Sequence, residues 1–441
     1  MDLIIKIAQF LLSFSLLVIV HEFGHFMFAR LFGVRVEVFQ LFFGKPICSF
    51  TSRRGTRYGI GSFPFGGFVK LAGMIDESLD TDQLQSPPAP DEFRSKPAWQ
   101  RLLIMIGGVL MNVVLAFFIY VGINWSLGEN YLSTADMKYG YVFSPQAQRM
   151  GFRNGDIILA VNGKSYENLR DMHMALILEP NAAVEILRGG DTVRVVMPDT
   201  PVSDLAEDTE FLLPRYPFLI DVVVEGSGAD KAGLVAGDRL VALNGEPMMF
   251  FDQYVEHLPQ FKNSVVTIDV ERIEHGVDSI RQFSVEVSAD GKIGAQADMI
   301  ALTPVHTKKY NFIQSIPAGA KRIRTEISNY WKQLKMVVRP KTKAYKSLGG
   351  PIAIGNIFPD SWNWIVFWEI TAMLSIVLAV MNILPIPALD GGHVLFLLVE
   401  VVSGRKPGDK FIIRAQMIGM TILFALIIFA TANDIFRYLV K

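Results

Sequence analysis

Four stretches of this sequence are each long and apolar enough to cross a lipid bilayer, and this constrains the fold more than any other feature. A membrane-spanning helix needs about 20 predominantly apolar residues. The predicted spans cover residues 1–28, 102–123, 362–384 and 411–432. Charged residues make up 19% of the 441 positions, whereas an ordinary soluble domain has about 25%. The first stretch is too long for a signal peptide, so we expect it to be a span.

The charges of the loops predict the orientation. Lys and Arg are frequent in the predicted loops 29–101 and 385–410, and short loops rich in these residues stay in the cytoplasm. Both termini and the long segment 124–361 are therefore expected outside. The 42 basic and 43 acidic residues nearly cancel, which argues against a nucleic-acid partner. The single cysteine, Cys48, excludes an intrachain disulfide and a cysteine-based metal cluster.

The outer segment contains an internal repeat. Residues 147–163 and 229–245 match at a constant offset of 82 positions. Each passage predicts a short helix, a Gly-Asp turn, a strand and an Asn-Gly turn. This pattern resembles the PDZ domain, here in tandem over 138–215 and 216–305. PDZ domains bind extended peptides by strand addition, so peptides are candidate ligands. A steric filter over the membrane part is the alternative role.

Residues 309–346 form a basic segment with apolar residues at helical spacing. Its basic residues include Lys321, Arg322, Arg324, Lys332, Lys335, Arg339, Lys341, Lys343 and Lys346. We expect an amphipathic helix that lies on the membrane surface or on the PDZ pair. A solvated linker helix is the alternative.

A metal-binding pattern lies at the cytoplasmic end of the first span. His21 and His25 are four residues apart, so on a helix both imidazoles face one side and can bind one Zn²⁺, with Glu22 beside its bound water. A catalytic zinc site needs a third protein ligand. The His required by the metzincin pattern is replaced by Leu31, and Glu37 follows too closely on a turn to be a confident ligand.

Asp390 is the stronger candidate for the third ligand. Pro385 and Pro387 break the helix before it, and Gly391-Gly392 frees the backbone after it, so its carboxylate can turn inward. The predicted topology places it on the same side of the membrane as His21 and His25.

These motifs together resemble the site-2 protease family of intramembrane zinc metalloproteases. The resemblance rests on the HExxH helix, on the segment from Asn382 to Gly392 (NxxPxPxLDGG) and on the inserted PDZ domains. Four spans with a tandem PDZ pair resemble its RseP-type (regulator of sigma-E protease) bacterial branch. Gly66–Lys70 is similar to that branch's membrane re-entrant β-hairpin, here about residues 56–72. One departure is Val109, where the branch often has proline, and we expect a changed local kink.

The resemblance implies an α-helical membrane protein with four transmembrane helices, a membrane re-entrant β-hairpin and two inserted β-rich PDZ domains. It makes His21, His25 and Asp390 the ligands of one catalytic Zn²⁺ and Glu22 the general base. Asn382 is expected to bind the substrate backbone, or alternatively to bond another helix. His393 is expected to be structural.

The hairpin is expected to bind substrate by strand addition at edges near residues 57–62 and 66–70. Its predicted substrate-binding residues are Gly66, Gly67, Phe68 and Val69. An interfacial aromatic loop without substrate contact is the alternative.

The function implied is a zinc endopeptidase in the bacterial inner membrane, with periplasmic PDZ domains. It would cut transmembrane segments of single-pass proteins already trimmed outside. Members of the branch act on an anti-sigma factor in envelope stress signalling and on remnant signal peptides. A non-catalytic PDZ scaffold is the main alternative, and the intact set of metal-binding residues argues against it. A transporter would show paired repeats of the spans, which the sequence lacks.

Overall fold

The computed structural model describes residues 2–74, 87–179, 181–198, 211–274, 277–298, 303–342 and 344–437. Parts of the predicted 29–101 loop, of both predicted PDZ domains and of the basic segment, including Lys343, lie outside the described residues. The chain divides into two compact units. The helical unit comprises residues 1–129, 309–338 and 345–441, and the repeat unit comprises 130–308 and 339–344.

The elements follow one another in a simple order. The first are α1 (Asp2–Leu31), β1 (Val36–Thr51), β2 (Arg57–Leu71) and α2 (Ala98–Ser126). The next are β3 (Glu129–Leu132), β4 (Tyr141–Phe143), α3 (Pro145–Arg149), β5 (Ile157–Val161), α4 (Leu169–Leu178), β6 (Ala183–Arg188), β7 (Asp191–Val196) and β8 (Leu212–Pro214). They are followed by β9 (Ile220–Val223), α5 (Gly228–Ala232), β10 (Arg239–Leu243), β11 (Glu246–Pro247), α6 (Phe251–His257), β12 (Val265–Glu274), β13 (Val277–Glu286), β14 (Ala295–Ala297) and β15 (Val305–Lys308). The last are α7 (Phe312–Val338), α8 (Pro351–Asn356), α9 (Trp364–Ile383), α10 (Asp390–Ser403) and α11 (Asp409–Ile435).

Four of these helices, α1, α2, α9 and α11, are long and apolar enough to cross a membrane. They correspond to the four predicted spans. The chain leaves α1 through Gly33, which has a positive φ of 66°. The Asn363 side chain caps α9 by accepting the amides of Ile365 and Val366, and Pro385 prevents the helix from continuing.

Strands β1 and β2 form one sheet. The predicted hairpin of residues 56–72 is wrong, because 57–61 and 67–71 pair with residues of β1 and not with each other. Each strand is long enough to fold back, so that Gln40 pairs with both Gly59 and Phe68. The sheet therefore has four segments in the order 67–71, 36–41, 57–61 and 46–51. Among the described residues, segment 67–71 pairs with another strand segment on one side only, so it lies at an edge of the sheet, as predicted for this part. The expectation of a free edge near 57–62 is wrong, because 57–61 is paired on both sides.

Helix α7 packs its apolar side against two of the candidate spans. Ile323 is buried with Tyr120 of α2 and Ile376 of α9. The Arg322 guanidinium stacks on the Tyr120 ring at 4.3 Å and lies 3.3 Å from a Glu369 carboxylate oxygen. The predicted amphipathic helix is therefore present, and part of its apolar face packs on helices of the same unit.

The repeat unit contains two similar β-rich repeats, which we call the first repeat (133–215) and the second repeat (216–298). The first has a sheet in the order β5-β6-β7, and the second has the order β11-β10-β12-β13. Each has its own apolar core, around Phe152 and Leu176 in the first and around Tyr254 and Val270 in the second.

The same buried ion pair recurs in both repeats. Arg188 donates two hydrogen bonds to the two carboxylate oxygens of Asp156, both 2.7 Å long. In the second repeat Arg272 bonds Asp238 in the same bidentate manner, at 2.6 and 2.7 Å. Asp156 and Asp238 are 82 positions apart. The offset read from the sequence is therefore also a structural offset.

Candidate metal centre

Helix α1 brings the two histidines of the HExxH motif to one face. His21 and His25 are both buried, with 8% and 7% of their surface exposed. The Asp390 carboxylate meets them from the start of α10. The three potential ligand atoms all lie within 4.8 Å of one another. The structure therefore brings together the three residues that the sequence selected.

The distances between these atoms suit zinc. His21 Nε2 and His25 Nε2 lie 3.1 and 3.3 Å from Asp390 Oδ2, and 3.3 Å from each other. In a tetrahedral site with zinc–ligand bonds of about 2.0–2.1 Å, neighbouring ligand atoms are about 3.3 Å apart. Asp390 Oδ2 is also buried and accepts no hydrogen bond among the described residues. The donor set and its spacing therefore fit a bound zinc ion.

Hydrogen bonds with groups of α2 orient the two histidine rings. His25 Nδ1 lies 2.9 Å from the Ile104 carbonyl oxygen. A carbonyl can only accept, so Nδ1 carries the proton and Nε2 keeps its lone pair for a metal. His21 Nδ1 lies 3.3 Å from the Asn112 amide group. The other amide atom of Asn112, Oδ1, is buried without a partner among the described residues. Rotation of this amide by about 180° would place Oδ1 next to His21 Nδ1, which would then carry the proton as in His25.

Two glycines let α2 approach the histidines. A Cβ added to Gly108 would lie 2.5 Å from His25 Nε2 and 2.6 Å from His21 Cε1. A Cβ added to Gly24 would lie 2.2 Å from the Gly107 carbonyl oxygen. Sequence reasoning missed these positions as parts of the site. The sequence signal for this contact was the adjacent pair Gly107-Gly108 within an apolar span, because small residues in such spans commonly mark a close helix contact.

The chain between α9 and α10 folds back on itself to aim Asp390. Ala388 has a positive φ of 98°, a conformation that costs an alanine energy. A Cβ on Gly391 would lie 2.1 Å from the Leu384 carbonyl oxygen. The two prolines predicted to break the helix and the two glycines predicted to free the backbone therefore surround a tight turn.

Glu22 lies next to the edge segment of the four-segment sheet. The backbone amide of Val69 lies close to its carboxylate. A Cβ on neighbouring Gly67 would lie 2.8 Å from Val18 of α1. The predicted substrate-binding segment 66–69 is thus in contact with the helix that carries the HExxH motif.

The remaining sequence candidates occupy distinct places. The Asn382 amide nitrogen lies 3.4 Å from His21 Nε2, so it belongs to the metal centre. His393 hydrogen-bonds Gln416 of α11 at 2.9 Å, consistent with a structural role. The alternative ligand Glu37 lies on β1, outside the converging set, with its carboxylate 3.9 Å from Arg35.

Comparisons with known proteins identify the family of this chain. The model of peptidase family M50 matches residues 9–426. The regulator of sigma E protease of Salmonella typhi is 29% identical, with 98% of each chain covered. The protein of that name from Haemophilus influenzae is 26% identical over 99% of this chain and 100% of its own. A Vibrio cholerae protein named as a zinc metalloprotease is 28% identical over 99% of both chains.

The family model covers far more than half of the chain and includes all three converging residues. The chain therefore belongs to peptidase family M50, the site-2 protease family, and is a zinc metalloprotease.

Proposed function

We propose that this chain is an intramembrane endopeptidase that cuts the transmembrane segments of single-pass proteins already trimmed outside the membrane. The observation that carries the proposal is the position of the ligand set. His21, His25 and Asp390 converge between α1, α2 and the turn that follows α9. Helices α1, α2 and α9 are all apolar enough to span a membrane. A protease centre built from such helices is suited to a substrate that lies in the bilayer.

Each polar residue of the site has a role in this proposal. His21, His25 and Asp390 hold one zinc ion, which when bound polarises the scissile carbonyl and makes a water molecule more acidic. Glu22 accepts the proton of that water and passes it to the leaving amine. The nearby Val69 amide would stabilise the Glu22 carboxylate. Asn382 is close enough to the ligands to bond the substrate backbone beside the bond that is cut.

The edge segment of the sheet is proposed to hold the substrate backbone as a membrane re-entrant strand. A helix that unwinds in lipid frees N–H and C=O groups that need new partners. Among the described residues, segment 67–71 pairs with another strand segment on one side only and lies next to Glu22, which suits the addition of a substrate strand at its other side. Gly66 and Gly67 have no side chains, which lets this segment lie close to Phe43 and to Val18 of α1.

The two repeats are proposed to be PDZ domains on the periplasmic side. Their shared offset, strand order and buried ion pair support a tandem of one domain type. Their proposed role is to control which substrates reach the metal centre, either as a filter or by binding peptides. The excess of Lys and Arg in the 29–101 loop supports a cytoplasmic position for that loop.

The biological setting is proposed from the relatives. Two of them are named regulator of sigma E protease. We therefore assign this chain to a bacterial inner membrane, where its substrates would be a membrane-bound anti-sigma factor and remnant signal peptides.

The test compares Glu22→Gln with the wild type in detergent, on a substrate with one transmembrane segment. The variant should bind zinc at the wild-type stoichiometry and lose cleavage, because the ligands remain and only proton transfer is removed. Glu37→Gln is the matched control, since Glu37 is a nearby glutamate outside the ligand set, and it should cleave normally. Full activity of Glu22→Gln would refute the proposed mechanism.

A further inference from the structure

The two repeats differ where the chain enters each of them, and this difference opens a cavity in the first repeat. In the second repeat the entering chain bridges Pro217 to Phe250, and in the first it bridges Ser133 to Asn168. The next amides also correspond, since Phe218 N donates to the Met249 carbonyl and Thr134 N to the Glu167 carbonyl. Thr134 is therefore the counterpart of Phe218.

The correspondence resumes a few residues later. Ile220 N donates to the Asp238 carbonyl, and Tyr141 N donates to the Asp156 carbonyl. Ile220 follows Phe218 by two positions, but Tyr141 follows Thr134 by seven. The first repeat thus carries five extra residues after Thr134, which begins the 3-10 helix Thr134–Asp136.

In the second repeat the entering chain covers the edge of β10. In the first repeat the extra residues take the entering chain along a different path, so it does not cover the edge of β5 in the same way. In the second repeat, Phe218 runs along β10, accepts a hydrogen bond from Leu240 N at 2.9 Å and is 2% exposed. The counterpart of Leu240 is Ile158 of β5, 82 positions earlier. A cavity of about 300 Å³ lies along Ile157–Ala160 and is bounded by Thr134, Ala135, Met137 and Lys138.

We propose that this cavity binds an extended peptide segment that adds to the edge of β5 and inserts one bulky apolar side chain. The second repeat supplies the model for the occupant, because its own chain fills the corresponding place with the phenylalanine ring at 218. The cavity is of a size that binding pockets have. Its charged lining residue is Lys138, which favours an acidic group next to the apolar anchor.

The probe is a fluorescein-labelled peptide of sequence Arg-Tyr-Pro-Phe-Leu-Ile-Asp, which copies residues 215–221. Its binding to the full chain in detergent is measured by fluorescence anisotropy. A second peptide carries alanine in place of phenylalanine. Loss of a buried phenylalanine side chain should weaken binding by roughly tenfold or more.

Two variants of the protein locate the site. Ala135 is exposed on the 3-10 helix and lines the cavity, so Ala135→Trp should fill it and weaken binding by roughly tenfold. The control Val196→Trp adds the same side chain to β7 at a position 56% exposed and outside the cavity lining. It should bind like the wild type.

A third variant restores the geometry of the second repeat. Deletion of residues 135–139 gives the first repeat the spacing of the second and should abolish binding. The proposal is overturned if the peptide fails to bind up to about 1 mM, the weak limit of useful affinity. It is equally overturned if a folded Ala135→Trp protein binds the peptide as the wild type does. Neither outcome depends on protease activity.

Discussion

Replacement of Gly108 by alanine should separate metal binding from folding. The added Cβ would lie 2.5 Å from His25 Nε2 and 2.6 Å from His21 Cε1, whereas atoms in ordinary contact are about 3.5–4.0 Å apart. The two rings must therefore move by about 1 Å, while a working site tolerates about 0.5 Å. We expect zinc affinity to fall by about 10–100-fold, as when groups supporting a metal ligand are lost.

The effect of this change on stability should be small. Overpacking a buried site costs about 1–3 kcal/mol, and alanine regains up to about 1 kcal/mol over glycine within a helix. Gly122→Ala is the matched control, because it lies in the same helix and its added Cβ meets nothing within 4 Å. Zinc is measured by metal analysis after titration with a chelator, and stability by thermal unfolding. Wild-type zinc affinity in a folded Gly108→Ala protein would refute the reasoning.

Three further predictions concern separate parts of the molecule. Asp390→Ala should lower zinc stoichiometry as well as activity, since two histidines alone hold the metal weakly; unchanged tight binding would require another third ligand. Asp156→Asn and Asp238→Asn should each destabilise their repeat by about 3–5 kcal/mol, the cost of breaking a buried ion pair, whereas Glu271→Gln, whose pair with Arg239 is partly exposed, should cost at most about 1 kcal/mol. Equal thermal shifts for the three variants would contradict this. Exposed Cys48 should resist a membrane-impermeant thiol reagent in intact spheroplasts and react after permeabilisation. Labelling without permeabilisation would invert the proposed topology.

The features that the sequence predicted well are those set by local periodicity and spacing. Long apolar stretches predict helices, and α1, α2, α9 and α11 lie where they were expected. His21 and His25 share a helical face because they are four residues apart. The fixed offset between the repeats was visible for the same reason, because it depends on positions along the chain.

The features that the sequence did not predict depend on contacts between distant segments. The close approach of Gly108 to the histidines requires the packing of α2 on α1, which no local pattern encodes. The sheet of β1 and β2 has four paired segments because both strands fold back, so 57–61 became central and lost its edge. The apolar side of α7 predicted an amphipathic helix without identifying its partner, and part of that side packs on α2 and α9.

The most direct test of the central proposal is to map the bond that is cut. The full chain and a substrate with one transmembrane segment are reconstituted in liposomes, and mass spectrometry of the products identifies the cleavage position. We expect the cut within the transmembrane segment, in its cytoplasmic half, and no products with Glu22→Gln. A cut confined to the water-exposed part of the substrate, or products that persist with Glu22→Gln, would contradict intramembrane cleavage by this metal centre.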